Sequence, residues 1–493
     1  MRLSMKQHFL FKNPYKIKKN SRFIGRTDEI AYIEKIKATK ESAILVVYGR
    51  RRTGKTELIE QSFINRNLLK FEGLENKKEV HQIQHFLDQL SKYLGEPLIS
   101  KFQCKNWRDA FEILSRYVED HEVTLYFEEI QWMANYDENL IIDLKYAWDN
   151  FFRKNNKLIL VLCGSAPSFV INKVIKSKSL HNRTLNRIHL KEFSIQETKD
   201  FIGRKNISNQ ELMDIYLTIG GIPEYLKYIR KESSSYLAIC KESFVTGGFF
   251  TDEYERIFTS SLSKNEHYLK IIEYLAKYKF VTRDQILKFL KIKSGGSLSL
   301  LLQDLEDCGF IDRIIPLGSK ETTTLCLYSI KDSYLQFYFK FIKPLKNKID
   351  NNQFKESPIL ALTMDTYRKW LGFAFERWCR RMSHLIAKKI GFSAIQYQSG
   401  SYFKRANIEN SSTSFQIDLL YKRADRVLTL CEVKYTSAPV GVSVIKEVEN
   451  KIELLGTKKT LSIYKILISA NGADNSLKNR AYFDQILTLD DLI

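Results

Sequence analysis

Two kinds of apolar spacing divide this chain. Ile44–Tyr48, Leu125–Phe127 and Leu158–Cys163 are short runs without polar interruption, whereas apolar residues recur every three to four positions around 80–93 and 107–118. An uninterrupted apolar run suits a strand buried on both faces, and its alternation with helical segments predicts a parallel sheet between two helical layers. Helical spacing dominates from about 195 to 290. Tyr268–Tyr278, Thr282–Leu290 and Leu298–Cys308 read as helices, followed by two β-like runs, Ile311–Ile315 and Thr323–Tyr328. Three helices and a β-ribbon predict a winged helix. Lys340, Lys343, Lys346 and Lys348 mark a basic linker, and from 366 a helix, a hairpin and further α/β elements predict a last α/β domain.

The strand Ile44–Tyr48 runs into Gly49-Arg50-Arg51-Arg52-Thr53-Gly54-Lys55-Thr56, and Glu57–Phe63 reads as the helix that follows. GxxxxGK[ST] between a strand and a helix is a phosphate-binding loop: its N–H groups and the helix N-terminus surround phosphates. ATP and Mg²⁺ are the expected ligands, with Lys55 on the β/γ-phosphates and the Thr56 hydroxyl on the metal. Leu125–Phe127 ends in Glu128-Glu129. In this position the first acid belongs to the magnesium shell and the second polarises the attacking water. The usual first acid is Asp, and the extra methylene of Glu128 predicts ATP binding with slow hydrolysis. Ser165 follows Leu158–Cys163, where a polar group can sense a γ-phosphate. Arg183 and Arg187 are candidate arginine fingers, in cis or in trans, and a finger in trans requires a homo-oligomer.

Five motifs together resemble the archaeal-type ATPases of the AAA+/STAND group: Phe23-Ile24-Gly25-Arg26, Tyr48–Thr56, Glu128-Glu129-Ile130-Gln131-Trp132, Cys163-Gly164-Ser165 and Gly220-Gly221-Ile222-Pro223. The resemblance spans nearly the whole chain after residue 20. It implies an α/β multidomain protein: a P-loop NTPase parallel sheet with a helical lid, a winged helix, and a C-terminal restriction-endonuclease-like domain. The expected boundaries are a basic tail 1–20, the ATPase domain with lid 21–228, a helical connector 229–262, the winged helix 263–335, the basic linker 336–365 and the nuclease-like domain 366–493.

Phe415–Tyr421 and Val427–Tyr435 read as two strands around a turn centred on Asp425. That centre sets Asp418 opposite Glu432, and Lys434 shares the strand face of Glu432. Two adjacent carboxylates hold a divalent cation, Mg²⁺ or Mn²⁺, which activates water and neutralises a phosphodiester, while Lys434 stabilises developing charge. Asp-x₁₃-Glu-x-Lys resembles the PD-(D/E)xK nuclease core, and Glu376 matches the acid such folds carry on the preceding helix.

Charge turns this into an expectation about partners. Lys and Arg number 78 against 57 Asp and Glu, a formal net charge of +21. Such a chain attracts polyanions, and DNA contacted mostly through its phosphates is the expected partner. The third helix of the winged unit carries Asp304, Glu306 and Asp307 without a Lys or Arg, so base reading is not expected there; Lys288, Lys291, Lys293, Arg313 and Lys320 would supply contacts. No run of about 18 apolar residues predicts a membrane span, and the seven scattered cysteines suit a reducing cytoplasm. The expectation is an ATPase controlling a metal-dependent DNA nuclease; the alternative is an ATP-dependent nucleic-acid-binding or regulatory protein that does not cut.

Overall fold

The computed structural model describes residues 11, 15–177, 180, 186–262, 265–292, 295–315, 317, 326–404, 415–456 and 461–493. The apolar runs become β1 (Ala43–Tyr48), β3 (Val123–Glu128) and β4 (Leu158–Gly164), joined by β2 (Asn67–Glu72) and β5 (Asn186–His189). They form a parallel sheet in the order β2-β3-β4-β1-β5. Both faces are apolar because both are covered. Ile44 and Val46 join the core under helices 79–94, 107–118 and 139–150, whereas Leu45 and Val47 join the core under helices 27–38 and 55–62. Phe71, Phe86, Phe111 and Phe127 interlock in the first layer, with Phe71 and Phe86 centroids 4.4 Å apart. Truncating Phe127 there would cost about 3–5 kcal/mol. Because β4 lies between β1 and β3, their carboxyl ends carry the glycine loop, Ser165 and Glu128-Glu129 side by side.

Helices 195–202, 209–219 and 223–230 follow, then 235–244 and 249–261. Helices 266–276, 283–290 and 296–307 come next, with a small antiparallel sheet of β6 (Val281–Thr282), β7 (Ile311–Ile314) and β8 (Leu327–Ile330) in the order β6-β8-β7. The second β-like run begins later than the sequence pattern implied, at Leu327, and Thr323, Lys293 and Lys320 lie outside the described residues. Residues 336–365, expected as a linker, are instead packed helical turns: Phe337, Tyr338, Phe341, Ile342 and Ile349 are buried. The lysines sit between these positions and leave the apolar side free to bury.

The C-terminal sheet is mixed. β9 (Tyr397–Lys404), β10 (Phe415–Arg423) and β11 (Val427–Lys434) are antiparallel, and β12 (Ser462–Ser469) and β13 (Gln485–Leu487) continue parallel to β11. Helix 364–381 packs on one face, in a core continuous with the helices that follow Phe193; helix 443–455 covers the other face over a separate core. Leu419 opposes Cys431 and Tyr421 opposes Thr429, so the turn is centred where the sequence pattern put it, on Asp425. No helix of the described residues is long and apolar enough to cross a membrane.

Candidate functional site

The glycine loop leaves β1 so close to the chain at Leu190 that a Cβ on Gly49 would stand 2.2 Å from the Leu190 carbonyl oxygen. Gly54 adopts a φ of 90° as it turns into helix 55–62. Only glycine takes both positions without strain. The buried Lys55 ammonium bridges the loop, donating to the carbonyls of Gly49 at 3.0 Å and Arg50 at 2.9 Å. Arg26 braces the loop from outside: it donates to Thr53 O and Lys191 O at 2.9 Å each and stacks 4.5 Å over Phe193. Its backbone N–H is held in turn by Glu197, which also closes the capping box of helix 195–202. The cleft beside the loop is about 390 Å³ and is lined by Arg51–Thr56, Glu128 and Glu129 together with Phe23, Ile24, Phe193, Phe201 and Pro223.

Glu128 is fully engaged. Its Oε1 accepts from the Thr56 hydroxyl and, at 2.8 Å, from Tyr126 OH; its Oε2 is 2.7 Å from the Lys70 ammonium. Burial disfavours the charge of Lys70, but Glu128 and Glu60 outweigh it and raise its pKa well above the ordinary lysine range. The hydroxyl of Thr56 and the carboxylate of Glu128 already converge, and both are hard oxygen donors of the kind Mg²⁺ takes, so these residues fit the metal. Glu129 lies in the left-handed region at φ 52°. Its Oε2 accepts from Ser165 N at 3.1 Å, Ser165 Oγ at 2.6 Å and Gln131 Nε2 at 2.6 Å. Ser165 is therefore placed as the anchor of Glu129.

Arg50 and Arg52 were expected at the nucleotide as part of the loop; their guanidinium groups each pair with an acid far along the chain. Arg50 pairs with Asp332, lies 5.1 Å over the Phe310 ring and reaches Tyr225 OH at 3.4 Å. Arg52 pairs with Glu253 and lies 4.7 Å over the Phe249 ring, and Tyr225 OH donates to the same Glu253 at 2.7 Å. Both acids are buried, so each guanidinium is drawn to the nearest uncompensated charge. Arg51 and Arg52 both line the cleft, whereas Arg50 does not. Arg187, on β5 opposite Val46, is exposed and does not line the cleft, so it is no finger in cis; Arg183 lies outside the described residues.

At the C-terminal site the pairing of β10 with β11 runs as far as Leu419 and Cys431, and Asp418 and Glu432 are the next residues of the two strands. The carboxylates do not converge into an open set. Glu432, 1% exposed, is held by Lys434 at 3.1 Å and by Lys451 at 2.5 Å, one lysine on each oxygen. Lys434 also reaches Glu447 at 2.6 Å. Asp418 accepts from Val433 N at 3.4 Å and from Gln416 at 3.2 Å. Glu376, on helix 364–381, is 3.9 Å from Arg380. Burial and the charge of Glu432 raise the pKa of Asp418, and burial and Asp418 raise that of Glu376. Among the described residues no three His, Cys, Asp or Glu side chains are grouped to hold a metal ion. As arranged, Asp418, Glu432 and Glu376 do not fit the Mg²⁺ or Mn²⁺ expected for a nuclease: the three carboxylates are not grouped, and both oxygens of Glu432 are taken by lysines.

Sequence reasoning missed Lys70, Asp332, Glu253 and Lys451. Arg26 was visible only as part of a motif without a role.

A glycine loop on a central parallel strand, with an acidic pair two strands away, defines a P-loop ATPase domain. Residues 23–229 match the family described as an ATPase domain predominantly from Archaea, and this part of the chain is a P-loop ATPase domain of archaeal type. An uncharacterized protein of Methanocaldococcus jannaschii is 27% identical over 356 residues, 72% of this chain and 76% of that protein. An uncharacterized ATP-binding protein of the same archaeon is 25% identical over 253 residues, 41% of this chain and 68% of that protein. A Walker-type ATPase of Pyrococcus abyssi aligns with a TM-score of 0.47 and 16% identity, covering 64% of this chain and 96% of that one.

Proposed function

We propose that this protein is an ATP-hydrolysing switch that controls the contact of its C-terminal half with DNA. One observation carries the reading: two loop arginines grip acids far along the chain, Arg50 on Asp332 and Arg52 on Glu253. Phosphates entering the loop compete for the same guanidinium charges and for the Lys55 ammonium. Nucleotide binding then changes the hold of the ATPase domain on the unit that leads into residues 366–493. The ATP-binding name of the second relative agrees with the ligand. Thr56 and Glu128 are the residues that would hold Mg²⁺, which supplies charge neutralisation on the phosphates when bound. Glu129 is set to orient water once Ser165 and Gln131 release it.

The winged-helix unit acts in this reading as the moving connector rather than as a reader of bases. Helix 296–307 is acidic at its C-terminal end, where Glu306 and Asp307 line a cleft of about 990 Å³ shared with the ATPase domain. DNA contacts are therefore assigned to the phosphates. The test is DNA affinity by fluorescence anisotropy with ATP, with ADP and without nucleotide, beside Lys55→Ala. Affinity in the wild type should depend on nucleotide, and Lys55→Ala should bind no ATP and lose that dependence. Affinity independent of nucleotide in the wild type sinks the switch.

A metal-dependent nuclease is the second reading, favoured by the positions of Asp418 and Glu432 on paired strands, with Lys434 on the strand of Glu432. It requires Lys451 and Lys434 to release Glu432. Plasmid cutting with Mg²⁺ or Mn²⁺, lost in Asp418→Ala, would establish it; no cutting of any single- or double-stranded DNA removes it.

A further inference from the structure

Helix 364–381 ends in Arg377, Arg380 and Arg381 and packs against β10 and β11 beside Asp418. Buried polar groups are almost always hydrogen-bonded. Here Arg377 Nε and Arg380 Nη1 are buried without a hydrogen-bond partner among the described residues. Arg381, in contrast, donates to Lys331 O at 2.7 Å. Arg377 and Arg381 are four apart, and Arg377 and Arg380 three apart, so like charges face one another along one side of the helix. The opposing charge is thin: Glu376 stands 3.9 Å from Arg380, and Arg377 has no ion pair among the described residues. Lys279 extends the cluster from the three-helix unit. Its ammonium donates to Gln416 Oε1 at 2.7 Å, and Gln416 donates to Asp418 at 3.2 Å. A folded protein that keeps buried guanidinium nitrogens without hydrogen bonds together beside two carboxylates is arranged for an anion that arrives later.

We propose that Arg377 and Arg380, with Lys279 reaching across from the three-helix unit, form a phosphate-binding site for a DNA strand beside Asp418. This rests on the DNA reading above and needs no metal. Planar guanidinium forks match the paired oxygens of a phosphate. Glu376 and Asp418 repel a strand placed further along the sheet and so fix where the phosphate stops. Because Lys279 and Arg377 belong to different parts of the chain, the site is complete only when the three-helix unit is docked. A nucleotide-driven shift of that unit would therefore open or close it.

The experiment measures binding of a fluorescein-labelled DNA oligonucleotide in EDTA, without nucleotide, across a salt series. Arg377→Met and Arg380→Gln should each weaken binding about fivefold to tenfold and lower the salt slope by about one. Arg377→Lys should retain part of the affinity. Thermal unfolding of each variant should begin no earlier than in the wild type, since like-charge repulsion is relieved. Arg380→Gln decides the matter if Arg377→Met fails to fold. Equal affinity and slope in the variants overturns the site, as does competition by polyglutamate that matches DNA charge for charge. Failure of the switch would look different: wild-type affinity would ignore ATP while Arg377→Met still weakened binding.

Discussion

Replacing Asp332 by Asn tests the link between the nucleotide loop and the rest of the chain. The Asp332 side chain is 5% exposed and that of Arg50 12%, so the pair sits where an unpaired charge is expensive. Breaking one side of a buried pair costs about 3–5 kcal/mol. Asn keeps the cap on helix 333–337, where Leu335 N donates to Oδ1 at 2.6 Å. Arg50 keeps its place over Phe310, and a neutral hydrogen bond to Asn restores about 1 kcal/mol. The net expectation is a loss of about 3 kcal/mol in the local opening free energy. Amide hydrogen exchange reads that directly, as roughly 150-fold faster exchange across 327–337. Arg50→Met combined with Asp332→Asn should recover most of the loss, because no buried charge is left alone. Unchanged exchange in Asp332→Asn, or strictly additive effects in the double variant, would refute the pairing as a coupling device.

Glu129→Gln should bind ATP as tightly as the wild type and turn it over about a hundredfold more slowly or worse; a phosphate-release assay at wild-type rate would remove Glu129 from the chemistry. Lys70→Met leaves Glu128 buried without its cation, so the nucleotide-free protein should melt earlier, and MgATP should raise its melting temperature by more than it raises that of the wild type. Asp214, which accepts from Tyr435 OH at 2.6 Å, has its carboxyl pushed by burial from 3.8 to about 6, partly offset by that hydrogen bond. The folded state then holds a proton that the unfolded state has lost, so this residue's contribution to stability declines as pH rises from about 4 to about 6. Asp214→Asn should flatten the melting temperature between those pH values and raise it at pH 7; a wild-type-like pH profile would show that Asp214 does not titrate this way.

The phosphate loop was legible because its function is written in eight consecutive residues, and the Asp425 turn because a hairpin's register follows from its centre. The acids that hold Arg50 and Arg52 left no such trace: they lie 282 and 201 positions away. Lysines at 340, 343, 346 and 348 suggested a solvated linker, but Phe337, Tyr338 and Phe341 carry the burial, and a charge run says nothing about the opposite side of a helix. At the C-terminal site Asp418, Glu432 and Lys434 were legible as a pattern, whereas Lys451, the residue that closes Glu432, comes from helix 443–455, outside the hairpin from which the site was read.

The core that begins at Phe193 and runs on to Leu492 has a consequence for synthesis on the ribosome. The two layers of the ATPase sheet are complete once β5 has emerged, so that part can collapse while translation continues. Everything after it must wait. Helix 209–219 packs against helices 364–381 and 489–492, and helix 235–244 against residues 358–361, so until those are made their apolar faces are open to chaperones and proteases. A stop codon within the last thirty residues would therefore spoil far more than the end of the chain, exposing segments made more than two hundred residues earlier.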